Sequence, residues 1–207
     1  MKEKKLIGLT GTYCAGKNHV ALLLERRFLP VLDVDKLGHE VIETEQKRIL
    51  QRFGGDILRA DGFIDRKKLG GKVFGKPDEL AALEEIVHPA ANRKTLEWVS
   101  GQNEKTCVIN AALLHRSSLF DELDAVIIVE APFFVRLLRA RKRDKLPWLS
   151  LLKRFRSQKL FNSQYFRKKT DIYRVKNSGY TDFCRFSAKK LEKSIDEILS
   201  RLGIITV

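Results

Sequence analysis

Cysteine is scarce in this chain: Cys14, Cys107 and Cys184 are the three among 207 residues. An odd number with no Cys-x-x-Cys spacing builds neither a disulfide framework nor a zinc site, and it fits a reduced, cytoplasmic protein. No run of 18 or more apolar residues is present, which excludes a membrane-spanning helix and gives no membrane partner. The first residues, MKEKKLIGLTGTYCAGK, hold only a short apolar run before a Gly- and Lys-containing turn, a poor signal peptide. Internal repeats and low-complexity linkers are also missing. Negative charge is in short supply, with 26 Asp+Glu against 40 Lys+Arg and a net charge of +14. What is present is ample core material: 43% hydrophobic and 9% aromatic residues exclude a disordered or collagenous chain.

An excess of cations this large suits a polyanion, whether nucleic acid, an acidic membrane surface or a small ligand with several phosphates. Composition does not choose among them. The excess is local, however. Residues 136–176 hold 15 Lys+Arg and 2 Asp+Glu, whereas the other 166 residues hold 25 against 24.

Apolar patterning alternates strands with helices. Lys5 to Thr10 reads as a buried strand, and Lys17 to Phe28 as a helix with Val20, Leu23, Leu24 and Phe28 on one face. Pro30 then breaks the helix, and Val31 to Asp35 is a second strand. Helical sequence runs to Phe53, followed by a turn-rich stretch, a helix after Pro77 and another from His88-Pro89. Thr106 to Leu114 and Asp124 to Ala131 have the apolar character of central strands. Phe133 to Arg143 is a basic helix, Leu146 to Lys169 continues its pattern, Ile172 to Asn177 is a strand and Ser187 to Leu202 a closing helix. Five strands alternating with helices predict an α/β protein with a parallel sheet. The expectation is one domain over 1–207, with 53–105 and 136–176 as excursions from the sheet.

The sharpest motif is Gly11-Thr12-Tyr13-Cys14-Ala15-Gly16-Lys17-Asn18, between the first strand and the first helix. It matches G-x-x-x-x-G-K-[ST] except at its last position. Glycines let such a loop curl until successive backbone N–H groups face inward, and the helix N-terminus adds its dipole. Lys17 brings a positive charge to the terminal phosphates of a nucleotide. A hydroxyl usually follows it to meet Mg²⁺; the amide oxygen of Asn18 is also a hard-cation ligand. Cys14 invites a redox role, and a helix N-terminus lowers a thiol pKa. A backbone-lining residue with no use for its thiol is the plainer reading.

Asp33 and Asp35 follow at the carboxyl end of the second strand, where ligands bind in open α/β sheets. For phosphoryl transfer a carboxylate orients an acceptor hydroxyl and takes its proton, or holds Mg²⁺ through water. One such Asp is also a common helix N-cap. With two, one residue apart, at least one functional role is expected.

Taken in order, IGLTGTYCAGK, VLDVDKLGHEVI, FGGDIL with DGFIDRKKLGGKVF, LEEIVHP, LLRARKRD, Gln158 and KNSG span nearly the whole chain. This series resembles the dephospho-CoA kinase family, among the nucleoside-monophosphate-kinase-like P-loop proteins. The resemblance implies a three-layer P-loop kinase fold: a five-stranded parallel sheet flanked by helices, with a helical acceptor region in 53–105 and a lid-like region in 136–176. It also implies transfer of the terminal phosphate of ATP, with Mg²⁺, to the ribose 3′-hydroxyl of dephospho-CoA. Gly11, Thr12, Tyr13, Cys14, Ala15, Gly16, Lys17 and Asn18 then cradle the β- and γ-phosphates, with His19 just inside the helix. Asp35 corresponds to the general base, and Asp33 to an indirect magnesium or positioning role. Arg66 and His88 fall in the acceptor region, Arg139 and Arg143 on the basic helix that clamps phosphates, and Asn177 where such kinases meet adenine. The plainer alternatives are a cap for His88 and a local pair of Arg66 with Asp61 or Asp65.

This chain departs from the family at Thr12 to Ala15, usually Gly-rich, and at Asn18, usually Ser or Thr. It also reads Ala112-Leu113-Leu114-His115-Arg116 where the family has Pro-Leu-Leu-Phe-Glu. The aromatics Trp148, Phe155, Phe161, Tyr165 and Phe166 among basic residues are unlike the usual lid. Two other functions remain open: a nucleoside or nucleotide kinase of the same fold, and a nucleic-acid-binding protein whose interleaved aromatics stack on single strands. Oligomeric state is left open.

Overall fold

Alternating apolar strands and amphipathic helices assemble here into an α/β arrangement. The computed structural model describes residues 4–116, 118–156, 170–179 and 185–204. It divides into two compact units, residues 1–32 with 102–207, and residues 33–101. The second unit begins well before the 53–105 excursion expected from the turn-rich sequence.

The first unit carries a five-stranded parallel sheet. Its strands are β1 (Lys5–Gly11), β2 (Val31–Asp33), β3 (Thr106–Asn110), β4 (Ala125–Glu130) and β5 (Asp171–Lys176), in the order β2-β3-β1-β4-β5. Leu9 sits beside Asn110 of β3 and Ile127 of β4, so β1 is central. One face of the sheet presents Ile7, Leu9, Val108, Ile127, Val129 and Val175. Against it pack Val20, Leu23 and Leu24 of α1 (Lys17–Glu25) and Leu191, Ile195, Ile198 and Leu199 of α8 (Arg185–Arg201). On the other face, Leu114 and Leu123 lie so close over Gly8 that a Cβ there would run into both.

α1 is shorter than its apolar stripe predicts. The chain turns through Phe28 in the left-handed region (φ 58), and Leu29 N donates to Leu24 O at 3.2 Å. Leu29 therefore enters the core, while Phe28, expected on the buried face, is 88% exposed. α6 (Phe133–Asp144) and α7 (Trp148–Arg156) follow β4. The basic pattern expected to continue to Lys169, with Gln158, Phe161, Tyr165 and Phe166, lies outside the described residues.

The second unit is helical: α2 (Val34–Thr44), α3 (Gln46–Phe53), α4 (Arg66–Val73) and α5 (Pro77–Ser100). Ile49, Phe53, Ile57, Ile64, Leu69, Val73 and Ile86 form its core. β2 stops at Asp33, two residues short of expectation, because the Asp33 side chain caps α2, accepting from Asp35 N at 3.1 Å and Lys36 N at 3.3 Å. Asp65 caps α4 in the same way, so part of the turn-rich stretch is helix. α5 is one 24-residue helix where two were expected. Pro77 starts it, Asp78 and Glu79 occupy its first turn, and Pro89 lies inside it. Glu85, whose carbonyl loses its donor at Pro89, is exposed, so water can take that bond. His88 is thus an interior helix residue and caps nothing.

Candidate active site

The loop between β1 and α1 has the shape its motif predicts. Gly16, which has no side chain to cap with, is the N-cap of α1 at φ 94. The start of α1 brings the positive end of its dipole to the loop, which suits an anion. Cys14 also adopts a left-handed backbone, at φ 59. Glycine takes that conformation without cost, and a residue with a Cβ does not. Ala15 is buried, while Asn18 and His19 are exposed on the first turn.

Two residues distant in sequence hold the loop. Asn177, buried just past β5, donates from Nδ2 to Ala15 O at 2.9 Å, and its backbone N donates to Glu130 O at 2.7 Å. Arg139 of α6 donates from Nη1 to Ala15 O at 2.9 Å and to Cys14 O at 3.4 Å. From Nη2 it reaches Asn177 Oδ1 at 3.2 Å, Asn177 O at 3.4 Å and Gly179 O. Burial lowers the pKa of this guanidinium, and carbonyl acceptors compensate its lost hydration. Arg139, expected on transferring phosphates, is here occupied with the backbone that shapes the loop.

A second group surrounds Tyr13. Asp144 accepts from the Tyr13 hydroxyl, from Arg143 Nε at 2.7 Å and from Arg154 Nη1 at 3.1 Å. The Arg143 guanidinium also lies 5.1 Å from the centre of the Tyr13 ring. Its bond to Asp144 raises the Arg143 pKa and holds the Asp144 carboxyl below the ordinary carboxylate value. The Cys14 thiol goes the other way from expectation. Burial pushes its pKa up, outweighing Arg143, Arg139 and Arg136 nearby, so the thiol stays protonated at neutral pH.

Much of the basic segment has work inside the protein. Arg136 donates to Ala131 O at 3.1 Å and covers Phe155, while Arg141 covers Trp148. Phe155 packs edge-on to Tyr13 and Phe133, each with ring centres 5.2 Å apart. Of the aromatics that were candidates for stacking on single strands, Trp148 and Phe155 thus have contacts to α6 or the loop, and Phe161, Tyr165 and Phe166 lie outside the described residues.

In the second unit, Asp33 is the cap described above and Asp35 is exposed in the first turn of α2. Arg66 is the exposed first residue of α4. Its suggested local partners are taken, since Asp61 pairs with Arg59 at 3.1 Å and Asp65 caps the helix. His88 is half-buried within α5. One polar residue escaped the sequence reading. Asn110, at the carboxyl end of β3, is 2% exposed, and its Oδ1 has no hydrogen-bond partner among the described residues. Its signal was a lone amide in the apolar run TCVINAALL.

Among the described residues no helix is long and apolar enough to cross a membrane, and no cluster of three His, Cys, Asp or Glu forms a metal site. A Halalkalibacterium halodurans dephospho-CoA kinase is 34% identical over 206 residues, covering 97% of this chain and 98% of the relative. The structure of a dephospho-CoA kinase from Campylobacter jejuni superposes with a TM-score of 0.61 at 25% identity, over 95% of this chain and 98% of that one. A crystal structure from Thermus thermophilus reaches a TM-score of 0.81 at 29% identity, over 97% and 99%. The dephospho-CoA kinase profile itself matches residues 5–182, and with the phosphate loop in place the chain belongs to that family.

Proposed function

We propose that this protein transfers the γ-phosphate of ATP to the ribose 3′-hydroxyl of dephospho-CoA, giving CoA and ADP. The observation that carries the reading is the phosphate loop: a left-handed Gly16 at the start of α1, with the loop backbone held by Asn177 and Arg139. Family membership supplies the acceptor, and with it a place in CoA biosynthesis.

The loop Gly11 to Asn18, in which Thr12 N already donates to Val129 O and Ala15 N to Thr12 O, receives the β- and γ-phosphates at the start of α1. Lys17 neutralises charge that builds on the transferring group. Asp35 takes the proton of the 3′-hydroxyl as its oxygen bonds to the γ-phosphorus and the bond to the ADP oxygen breaks. Asp33, by capping α2, orients the turn that carries Asp35. Arg66 and His88 line the acceptor's side, Arg143 adds charge for the phosphates, and Asn177 borders the adenine. Arg139 is a positioning residue, acting through the loop it shapes.

The residues present fit a magnesium ion. Asn18 offers an exposed amide oxygen at the start of α1, and Asn110 Oδ1, with no hydrogen-bond partner among the described residues, suits a metal-bound water. Bound there, the ion would neutralise charge on the β- and γ-oxygens. ADP release that depends on dephospho-CoA tests the whole reading.

A further inference from the structure

Tyr13 is the one aromatic residue in the phosphate loop, and its side chain ties that loop to two helices. Its hydroxyl donates to Asp144, the last residue of α6, and accepts from Arg154 Nη1 of α7 at 3.5 Å. Its ring meets Arg143 of α6 on its face and Phe155 of α7 at its edge. Asp144 binds Arg143 and Arg154 at the same time, at 2.7 and 3.1 Å. A loop that holds phosphate through its backbone has no need of a phenol, so this side chain serves another purpose.

We propose that Tyr13 is a positioning residue that, through Asp144, seats α6 and α7 on the phosphate loop and holds Arg143 and Arg154 ready for the phosphates of ATP. Two guanidiniums against one carboxylate leave a net positive charge beside the loop. An arginine gives up side-chain freedom when it grips an anion; one already held in place gives up less. Burial, with the bond to Asp144, raises the Tyr13 pKa, so the phenol remains a donor at neutral pH. The proposal rests on the kinase reading only in that ATP is the nucleotide bound.

Calorimetric titration of the full chain with ATP and Mg²⁺, and separately with AMP, tests it without any acceptor. Tyr13→Phe keeps the ring contacts and removes the hydroxyl; Asp144→Asn removes the charge. Each is expected to weaken ATP binding about fivefold to tenfold, the net value of one ordinary hydrogen bond, and AMP binding less than about twofold. The double variant is expected to be no weaker than Asp144→Asn alone, because both changes break one link. Unchanged ATP affinity, equal weakening of ATP and AMP, or additive losses in the double variant would each overturn the proposal. A wild-type protein that binds ATP yet leaves dephospho-CoA untouched would refute the substrate assignment and leave this test intact.

Discussion

The side-chain amide of Asn177 donates to the carbonyl of Ala15 at 2.9 Å, although 162 residues separate them. Gly16 lies directly beneath that amide: a Cβ there would strike Asn177 Nδ2, and the backbone is left-handed besides. Gly16→Ala should therefore displace Asn177 and distort the loop. The expected result is a loss of ATP affinity of at least tenfold, with the helices intact by circular dichroism. ATP binding at the wild-type level in that variant would show that the loop tolerates both the strain and the clash.

Cys14 offers the opposite experiment. Its left-handed backbone costs about 1–2 kcal/mol for a residue with a Cβ. Replacement by glycine removes that cost but adds about 0.5–1 kcal/mol of unfolded-state freedom. Cys14→Gly should accordingly be at least as stable as the parent in urea unfolding. Cys14→Val should be less stable by more than about 1 kcal/mol, since branching at Cβ worsens the same conformation. The reverse ranking would remove strain from the account of this loop.

Lys17 and Asp35 should separate binding from chemistry. Lys17→Ala is expected to abolish transfer with the fold retained, because the side chain serves phosphate and not the core. Asp35→Asn is expected to cut kcat by about 100-fold or more while ATP affinity changes little, as befits loss of a general base. Steady-state kinetics beside ATP titrations read both. Wild-type turnover in Asp35→Asn would remove the base assignment.

The Asp144 cluster predicts a pH dependence with a definite sign. Arg143 first, and Tyr13 after it, hold the folded-state pKa of Asp144 below its ordinary value. A depressed carboxylate contributes stability that is complete above its unfolded pKa, about 3.9, and is lost as pH falls through the folded value. The melting temperature of wild type should exceed that of Asp144→Asn by a constant margin from pH 5 to 8. That margin should shrink only under about pH 4. A margin that grows on acidification would contradict the carboxylate's role.

Local signals made the fold and loop legible. The apolar runs of β1, β3 and β4 and the G-x-x-x-x-G-K spacing are properties of adjacent residues. Capping and helix ends were harder, because Asp33 reads equally as a strand end or a cap until the chain turns. Pro89 reads as a break, yet tertiary packing carries α5 through it. The loop's supports were least legible. Arg139 and Asn177 are far from Ala15 in sequence, and only the sheet brings them together. The +14 also changes meaning in three dimensions. Arg136, Arg139, Arg141 and Arg174 have partners within the protein, whereas Arg143 and Arg154 share one carboxylate and keep a net positive charge beside the loop.

The most direct test is a coupled assay of ADP release with ATP and Mg²⁺, comparing dephospho-CoA with a panel of nucleosides as acceptors. The account predicts ADP release that requires dephospho-CoA, in equal amount to the CoA formed, and that vanishes with Lys17→Ala. No ADP release with dephospho-CoA, or faster release with any nucleoside, would contradict it.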